Sequence, residues 1–260
     1  MTDTHATERI ARDAAELSVS GLRAGYGRAA DILKGIDLDI ARGSITTVIG
    51  PNGAGKSTFL KAIAGLVTVR AGEIRLGDRV LSTIPATRRV REGVVLCGQG
   101  RTNFAELSVE ENLMLAGYTL PRRALHARMA AVRAADPVVD SRWHARVSSL
   151  SGGQQQSVEI SMALMTEPEV LLLDEPSLGL SPGARTALFE RVRDIADGGV
   201  TVLIVEQNVK AAAVVSDRLV VLEQGAIALD GTPSGVMADD RLREVYVGGV
   251  NTRDHGGDRT

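Results

Sequence analysis

The sequence predicts an α/β protein with a wound parallel core sheet, an antiparallel β-lobe and an inserted group of helices. Short segments that are almost wholly apolar indicate strands buried on both faces, as in a parallel sheet covered by helices. Helical segments alternate with these strands along the chain, which is the pattern of a wound α/β fold. The apolar segments are VVLC (94–97), VLLL (170–173), VTVLIV (200–205) and LVVL (219–222).

The N-terminal part of the chain predicts the antiparallel β-lobe. Apolar and polar residues alternate in LSVSGLR (17–23), IDLDI (36–40) and SITTVIG (44–50), and a period of two indicates strands. The segment EIRLGDRVL (73–81) is typical of a hairpin with its turn at Gly-Asp. We expect these segments together to form one antiparallel unit.

Helices are expected between the core strands and in one long interval. The interval between the strands at 94–97 and 170–173 holds two further helical patterns, 108–118 and 121–135. We therefore expect residues 100–150 to form an inserted helical subdomain, with an irregular return at 136–149. The helices expected between core strands are STFLKAIAGL (57–66), QQQSVEISMALM (154–165) and PGARTALFERVRDIA (182–196).

The composition limits the classes of protein to which this chain can belong. The 260 residues, 44% of them hydrophobic, are enough for one large domain, expected at 16–247, between disordered tails at 1–15 and 248–260. A net charge of -2 gives no basic field for nucleic acid. With Cys97 as the one cysteine, no internal disulfide can form; this fits a reducing compartment, and a buried apolar role is favoured over a reactive thiol.

No targeting or membrane-spanning segment is recognised in the sequence. The first residues are polar and charged, without the apolar core of a signal peptide. The uniformly apolar runs are far shorter than the roughly 18 residues needed to span a bilayer. We expect the chain to be soluble by itself, and such a chain can still dock on a membrane protein.

A glycine-rich segment has the spacing of a phosphate-binding loop. GPNGAGKST (50–58) fits G-x-x-x-x-G-K-[ST], and it lies between a predicted strand and a predicted helix, as this motif requires. Its glycines let backbone N–H groups turn toward a phosphate at a helix N-terminus. Lys56 is placed for the β- and γ-phosphates and Ser57 for Mg²⁺. The residues expected to contact nucleotide are Gly50, Pro51, Asn52, Gly53, Ala54, Gly55, Lys56, Ser57 and Thr58.

Two carboxylates follow a buried strand in VLLLDEPSLGLSP (170–182). Ligands of open α/β sheets bind at the carboxyl ends of strands, so we expect Asp174 on the same edge as the phosphate loop, where it can hold Mg²⁺. Glu175 is expected to polarise a water for attack on the γ-phosphate. Alone, Asp-Glu-Pro can simply end a strand; together with the phosphate loop it favours a catalytic site.

The segment LSGGQQQ places two glycines at a helix start, where they are poor helix formers. Exposed N–H groups beside the Ser151 hydroxyl make a second anion site. In a chain that already has a phosphate loop, a second one is redundant unless two chains face each other. The alternative is a serine-capped helix without a ligand.

The segments GPNGAGKST, LSGGQQQ and VLLLDEPSLGL, in this order, resemble the ATP-binding cassette (ABC) family, and the resemblance covers about residues 17–247. LSGGQ matches that family's signature sequence. The resemblance implies a P-loop NTPase (RecA-like) core that binds ATP and Mg²⁺ and hydrolyses ATP. It also implies two facing cassettes, each ATP lying between one chain's phosphate loop and the other chain's Ser151, Gly152, Gly153 and Gln154.

Further positions carry over from the resemblance. Tyr26 matches an aromatic residue that stacks on adenine, the alternative being a turn residue. Gln99 matches a glutamine that touches Mg²⁺ and the attacking water and leads into the helical insert, the alternative being an exposed loop amide. Gln207 stands where the family usually has a histidine, and its amide can hydrogen-bond the γ-phosphate but cannot carry a proton.

Other positions depart from the family pattern. Ser181 stands where an aspartate is usual, which predicts a weaker contact across the pair of cassettes. Met162 stands where an arginine is usual, and Glu159 is a further unusual residue of the same helix. The sequence offers no physical reason for either of these two residues.

Several short segments resemble particular branches of the family. VEQN with DEPSLGLSP resembles the smaller ATPase subunit of branched-chain amino-acid importers, while GQGR and LSGGQQQ resemble urea and short-amide importers. The implied partners are a second ATPase subunit, forming a heterodimer or else a homodimer, integral-membrane permeases and, indirectly, a solute-binding protein. The implied location is the cytoplasmic face of the membrane. A soluble non-transport ABC ATPase and a P-loop kinase are the alternatives.

Overall fold

The computed structural model describes residues 15–27, 29–100 and 102–248. The tails expected to be disordered lie almost wholly outside the described residues. Along the part of the chain that is described, no helix is both long and apolar enough to cross a membrane. The strands are β1 (Ala15–Gly25), β2 (Leu33–Ala41), β3 (Ile45–Ile49), β4 (Thr68–Leu76), β5 (Arg79–Val80), β6 (Val94–Cys97), β7 (Val170–Asp174), β8 (Thr201–Val205), β9 (Arg218–Glu223) and β10 (Ala226–Gly231).

Helices alternate with the core strands and cluster between β6 and β7. The helices are α1 (Lys56–Ile63), α2 (Ala86–Arg89), α3 (Val109–Ala116), α4 (Arg122–Ala135), α5 (Pro137–Ser141), α6 (Gly152–Leu164), α7 (Pro182–Asp197), α8 (Val209–Val215), α9 (Pro233–Ala238) and α10 (Asp240–Gly248), with a 3₁₀ turn at Val147–Ser149. Helices α3, α4 and α5 and the 3₁₀ turn fall within residues 100–150, where the sequence predicts an insert, and we refer to them as the helical subdomain; α6 follows them.

The six-stranded core sheet has the order β10-β9-β3-β8-β7-β6. Neighbouring strands of this sheet pair in parallel, except that β9 and β10 pair antiparallel to each other. The expected wound α/β fold is therefore confirmed, because the four apolar segments form β6 to β9. Strand β10 was missed, although its segment AIALDG follows a Gln-Gly turn.

The antiparallel lobe is a four-stranded sheet in the order β2-β1-β4-β5. The predicted hairpin is present, with β4 pairing antiparallel to β5 across the Gly-Asp turn. One expectation was wrong, because SITTVIG lies in the core sheet as β3 and not in the lobe. The threonines that produced its alternating pattern are buried, and the Thr47 hydroxyl lies 2.6 Å from the Ser216 hydroxyl, so both faces of β3 are covered.

Two large apolar clusters cover the faces of the core sheet. One joins α1 and the antiparallel lobe to one face, and the other joins α6, α7 and the helical subdomain to the opposite face. Residues 136–149, expected to be irregular, contain α5 and the 3₁₀ turn. The reason is Asp136, whose Oδ1 accepts hydrogen bonds from the N–H groups of Val138 and Val139 at 2.9 and 3.2 Å and so begins a helix.

Candidate active site

The phosphate loop, residues 50–58, joins β3 to α1 at the carboxyl edge of the core sheet. Gly53 and Gly55 have positive φ angles of 82° and 103°, which side chains disfavour. A Cβ added to Gly50 would lie 2.1 Å from the carbonyl oxygen of Leu222 in β9. These glycines therefore let the backbone turn closely against the sheet just before α1 begins.

Lys56 begins α1 and lies across this loop. Its side chain is buried, and Nζ donates hydrogen bonds to the carbonyl oxygens of Gly50 at 2.8 Å and Pro51 at 3.1 Å. Burial lowers the pKa of the Lys56 ammonium, while the charges of Glu175 and Asp174 act in the opposite direction. The site thus holds a cationic group at some cost, in a position where an anionic ligand would stabilise its charge.

Ser57 and Asp174 form the oxygen-rich part of the site. The Ser57 hydroxyl donates to Asp174 Oδ1 at 2.9 Å, and Asp174 Oδ2 is buried without a hydrogen-bond partner among the described residues. Burial raises the pKa of Asp174, an effect that the hydrogen bond from Ser57 opposes. A hydroxyl and an unsatisfied carboxylate oxygen are the hard donors that Mg²⁺ prefers, so these residues fit such an ion.

Glu175 follows β7 in a strained backbone conformation. Its φ is 51°, rare for a residue other than glycine, and its backbone N–H donates to Val205 in the next strand at 2.9 Å. Its buried carboxylate accepts a hydrogen bond from Gln207 Nε2 at Oε1, at 2.7 Å. The amide therefore orients Glu175, a contact that the sequence did not indicate.

Glu206 was missed by the sequence analysis. It is buried, and its Oε1 accepts from the Ser177 N–H at 3.0 Å while its Oε2 accepts from the Gln207 N–H at 3.2 Å. It thereby ties the loop after β7 to the loop after β8. The available signal was its position: like Asp174, it lies at the carboxyl end of an apolar strand.

Gln99 lines a cavity of about 490 Å³, together with Asp174 and Glu175. Its side chain is exposed, in the loop that follows β6. Gly152 lines the same cavity from the start of α6. The structure therefore brings the expected glutamine and both acidic residues to one edge of the sheet.

Ser151 caps α6 through a reciprocal pair of hydrogen bonds. The Gln154 N–H donates to Ser151 Oγ at 3.4 Å, and the Ser151 N–H donates to Gln154 Oε1 at 3.1 Å. Ser151 itself is exposed at the surface. The serine cap that the sequence offered as an alternative is thus present, and it leaves this helix end accessible.

The two glycines after Ser151 differ in their surroundings. A Cβ on Gly153 would lie only 2.8 Å from the Cβ of Ala184 in α7. A Cβ on Gly152 would meet only Leu180 Cδ2, at an ordinary 3.8 Å, and Gly152 is exposed. Close helix packing therefore explains the second glycine, whereas no packing contact requires the first.

Tyr26 lies on the turn that follows β1, with 48% of its side chain exposed. Arg70 holds this turn by donating to the carbonyl oxygens of Ala29 at 2.6 Å and Gly27 at 2.8 Å. The end of the turn borders the phosphate loop, because Ile32 Cγ2 would lie 3.4 Å from a Cβ on Gly55. Tyr26 is thus accessible on a segment that reaches the phosphate loop at Ile32.

The unusual residues Ser181 and Glu159 have structural explanations. Ser181 caps α7, its hydroxyl accepting from the Ala184 N–H at 3.4 Å, and an aspartate would serve equally as a cap. Glu159 is buried and accepts hydrogen bonds from Thr102 and Asn103. Met162 packs partly buried against the apolar cluster beneath α6.

Comparison with known sequences identifies similar proteins. The sequence pattern of the family described as ABC transporter matches residues 33–178. The chain is 36% identical over 233 residues to the high-affinity branched-chain amino acid transport ATP-binding protein BraG of Pseudomonas aeruginosa, covering 90% of this chain and 100% of the relative. It is 37% identical over 231 residues to the probable branched-chain amino acid transport ATP-binding protein LivF of Archaeoglobus fulgidus, covering 88% and 98%.

A further relative and two solved structures similar to this chain are also ATP-binding subunits or cassettes of transport systems. The lipopolysaccharide export system ATP-binding protein LptB of Escherichia coli is 33% identical, with 90% of this chain and 98% of the relative covered. The ADP conformation of an ATP-binding cassette of an ABC transporter superposes with a TM-score of 0.81 at 25% identity, covering 90% of this chain and 99% of that chain. An ATP-binding subunit of an ABC transporter gives a TM-score of 0.72 at 30% identity, covering 89% and 98%.

Proposed function

The chain belongs to the ABC transporter family, and we propose that it is the subunit whose ATP hydrolysis drives an importer of branched-chain or other hydrophobic amino acids. Nucleotide binding and ATP hydrolysis come with the family. The observation that supports hydrolysis most directly is the cluster of Lys56, Ser57, Asp174 and Glu175 at one edge of the core sheet. The importer assignment is supported by the two relatives at 36% and 37% identity, which are branched-chain amino acid transport ATP-binding proteins.

The phosphate loop is proposed to hold the ATP phosphates. The N–H groups at the start of α1 face the phosphate oxygens, and the Lys56 ammonium neutralises charge on the β- and γ-phosphates. The exposed ring of Tyr26 is proposed to stack on adenine, a contact worth on the order of 1 kcal/mol. ATP thus bridges the core sheet and the antiparallel lobe.

Ser57, Asp174 and Gln99 are proposed to hold Mg²⁺. When bound, this ion supplies positive charge that stabilises the phosphate oxygens during transfer. Ser57 offers its hydroxyl and Asp174 its Oδ2, which has no partner in the described part of the chain, directly or through a water. Gln99 lines the same cavity from the opposite loop and offers its amide oxygen.

Glu175 is proposed to be the general base. With Oε1 occupied by the amide of Gln207, its second carboxylate oxygen is the one that accepts a hydrogen bond from the attacking water and draws off its proton. Gln207 cannot exchange a proton, so it orients the base and donates to the γ-phosphate when ATP is present.

The signature end of α6 is proposed to complete the site of a second cassette. Ser151, Gly152, Gly153 and Gln154 lie at an exposed helix N-terminus, which binds anions. The γ-phosphate of ATP on the partner's phosphate loop would meet this surface and close the pair. The partner is proposed to be a second, different ATPase subunit, with an identical copy as the alternative.

The helical subdomain is proposed to contact the permease at the cytoplasmic face of the membrane. Four large apolar side chains are exposed there, between 42% and 79%. They lie on α3 and its flanking segments, next to the loop that carries Gln99. The four residues are Phe104, Met114, Leu115 and Tyr118. Closure of the cassettes would move this surface and switch the permease between outward and inward access.

Single substitutions in the purified chain test the proposed site. Lys56→Ala should weaken ATP binding strongly, whereas Lys34→Ala, at an exposed lysine, should not. Glu175→Gln should bind ATP as the wild type does and slow hydrolysis at least about a hundredfold, the effect of losing a positioned base. Hydrolysis at the wild-type rate in Glu175→Gln would exclude Glu175 as the base.

Gly152→Asp tests the pairing surface. The new side chain points toward solvent at a position without close contacts, so each chain should fold and bind ATP normally. ATP-driven pairing in the Glu175→Gln background, measured by size-exclusion chromatography with light scattering, should be lost because a carboxylate repels the partner's γ-phosphate. Normal pairing of Gly152→Asp would show that the signature end of α6 does not take part in pairing.

Purification from the native cells in mild detergent tests the importer assignment. Mass spectrometry should identify permeases with several membrane spans, a second ATPase subunit and a solute-binding protein. The ligand of that binding protein then distinguishes amino acids from urea or short amides. Recovery of soluble partners alone, or of a lipopolysaccharide export complex, would refute the importer assignment while leaving the ATPase chemistry intact.

A further inference from the structure

Glu159 is a carboxylate in the middle of α6 that belongs to none of the motifs of the proposed site. Only 6% of the residue is exposed. Its Oε1 accepts a hydrogen bond from the Thr102 N–H at 2.9 Å and another from Asn103 Nδ2 at 3.0 Å. A carboxylate is costly to bury unless such bonds satisfy it. The two bonds therefore define where residues 102–103 lie relative to α6.

The loop that Glu159 holds begins in the proposed catalytic site. Gln99 precedes Thr102 by three residues, and Gln99 and Glu159 line the same cavity as Glu175. The pKa of the Cys97 thiol is raised to about 12, first by burial and then by the charge of Glu159. The carboxylate therefore lies close to the end of β6, two residues before Gln99.

The other end of this loop is fixed to the helical subdomain. The Phe104 N–H donates to Asn112 Oδ1 at 2.8 Å, and Asn112 Nδ2 donates to the Phe104 carbonyl oxygen at 3.0 Å. Asn112 is fully buried in α3. Contacts thus run without a gap from α6, through Glu159 and residues 102–104, to α3 and its exposed apolar side chains.

We propose that Glu159 is a positioning residue that fastens the Gln99 loop to the signature helix. This inference rests on the proposed function, because Gln99 matters only if it works at the bound nucleotide. The tie holds Gln99 at the cavity and makes the signature end of α6, the Gln99 loop and α3 move as one body. Pairing of two cassettes would then reach the permease-facing surface through Glu159.

Amide hydrogen exchange of the full-length, nucleotide-free chain tests the tie directly. In Glu159→Ala the Thr102 N–H loses its charged acceptor, and exchange of a peptide covering residues 102–107 should be about tenfold faster. Glu159→Gln keeps an acceptor oxygen and should exchange at nearly the wild-type rate. Glu190→Ala, at an exposed glutamate of α7, is the control. Unchanged exchange in Glu159→Ala would overturn the proposal.

ATP hydrolysis by the same variants tests whether the tie acts through Gln99. Glu159→Ala should lower kcat about tenfold without changing the affinity for ATP, because the phosphate loop is untouched. In a Gln99→Ala background the same substitution should have almost no further effect. An equal loss of kcat with and without Gln99 would show that Glu159 does not act through Gln99. If Glu159→Ala does not fold, Asn103→Ala removes one of the two donors and should give smaller changes of the same sign.

The proposal and the function on which it rests fail in different ways. If wild type and Glu175→Gln hydrolyse ATP at the same rate, the proposed catalytic site is wrong. If they differ as expected and Glu159→Ala hydrolyses like the wild type, only the positioning role is wrong.

Discussion

The two signature glycines predict opposite effects of the same substitution. In Gly153→Ala the new Cβ would lie 2.8 Å from the Cβ of Ala184, well inside the ordinary carbon–carbon separation of about 3.5–4.0 Å. The neighbouring methyl group is attached directly to the backbone of α7, so relief requires the two helices to shift. Such overpacking costs about 1–3 kcal/mol, against a gain of up to about 1 kcal/mol from replacing glycine in a helix.

Gly152→Ala brings the same gain in helix propensity without the clash, since its Cβ would meet only Leu180 at 3.8 Å. We therefore expect the two variants to differ by about 2 kcal/mol in unfolding free energy, with Gly153→Ala the less stable. For a chain of this length the difference corresponds to about 4–8 °C in Tm. Thermal unfolding followed by circular dichroism, without nucleotide and at one pH, measures it. Equal Tm values, or a lower Tm for Gly152→Ala, would refute the packing explanation.

Three further substitutions, two of them with a control variant, test the electrostatics of the site and of the fold. Burial raises the pKa of Asp174 above 3.8, so its ionised form opposes folding and stability falls as the pH rises through that raised pKa. Asp174→Asn should therefore have a higher Tm than the wild type at pH 7, an advantage that fades below pH 3.8. Glu111, whose pKa is lowered from 4.5 by hydrogen bonds, is the control of opposite sign: Glu111→Gln should lower Tm at pH 7 and lose this effect in acid. Arg89 is buried and donates hydrogen bonds to carbonyl oxygens at the end of α1. Arg89→Met should therefore lower the free energy of unfolding, measured with urea, by about 2–4 kcal/mol. Arg88→Met, at an exposed position, should leave it nearly unchanged. Gln207→Ala should lower kcat about ten- to a hundredfold, since it removes one hydrogen bond to the charged Glu175 carboxylate. An unaltered kcat would show that Gln207 does not orient the base.

Sequence patterns were sufficient where one physical property decides the outcome locally. Uniform hydrophobicity predicted the buried strands β6 to β9, because a segment with no polar face must be covered on both sides. The pattern of alternating residues was misleading for β3, because it placed this strand in the antiparallel lobe and not in the core sheet. The buried Thr47 hydroxyl is paired with that of Ser216, far along the chain, and no local pattern records that contact.

The candidate site divides in the same way. The phosphate loop was predicted because its spacing along one strand–loop–helix unit is itself the geometry required. Asp174 and Glu175 were predicted because they follow a buried strand, at the carboxyl edge where ligands of such sheets bind. Glu206 was not, because its partners, Ser177 and the N–H of Gln207, belong to two loops that only the sheet brings together.

The sequence by itself determined the core strands β6 to β9, the helices α1, α3, α4, α6 and α7, and the residues that carry charge to the edge of the core sheet, since these follow from periodicity and from short motifs. Only the tertiary structure decided which side chains meet. It placed the amide of Gln207 on Glu175, packed Gly153 against Ala184 and set Glu159 beneath the loop of residues 102–103. Such contacts join residues separated by about 30 to 60 positions, and they depend on how whole helices and strands pack rather than on their neighbours in the chain.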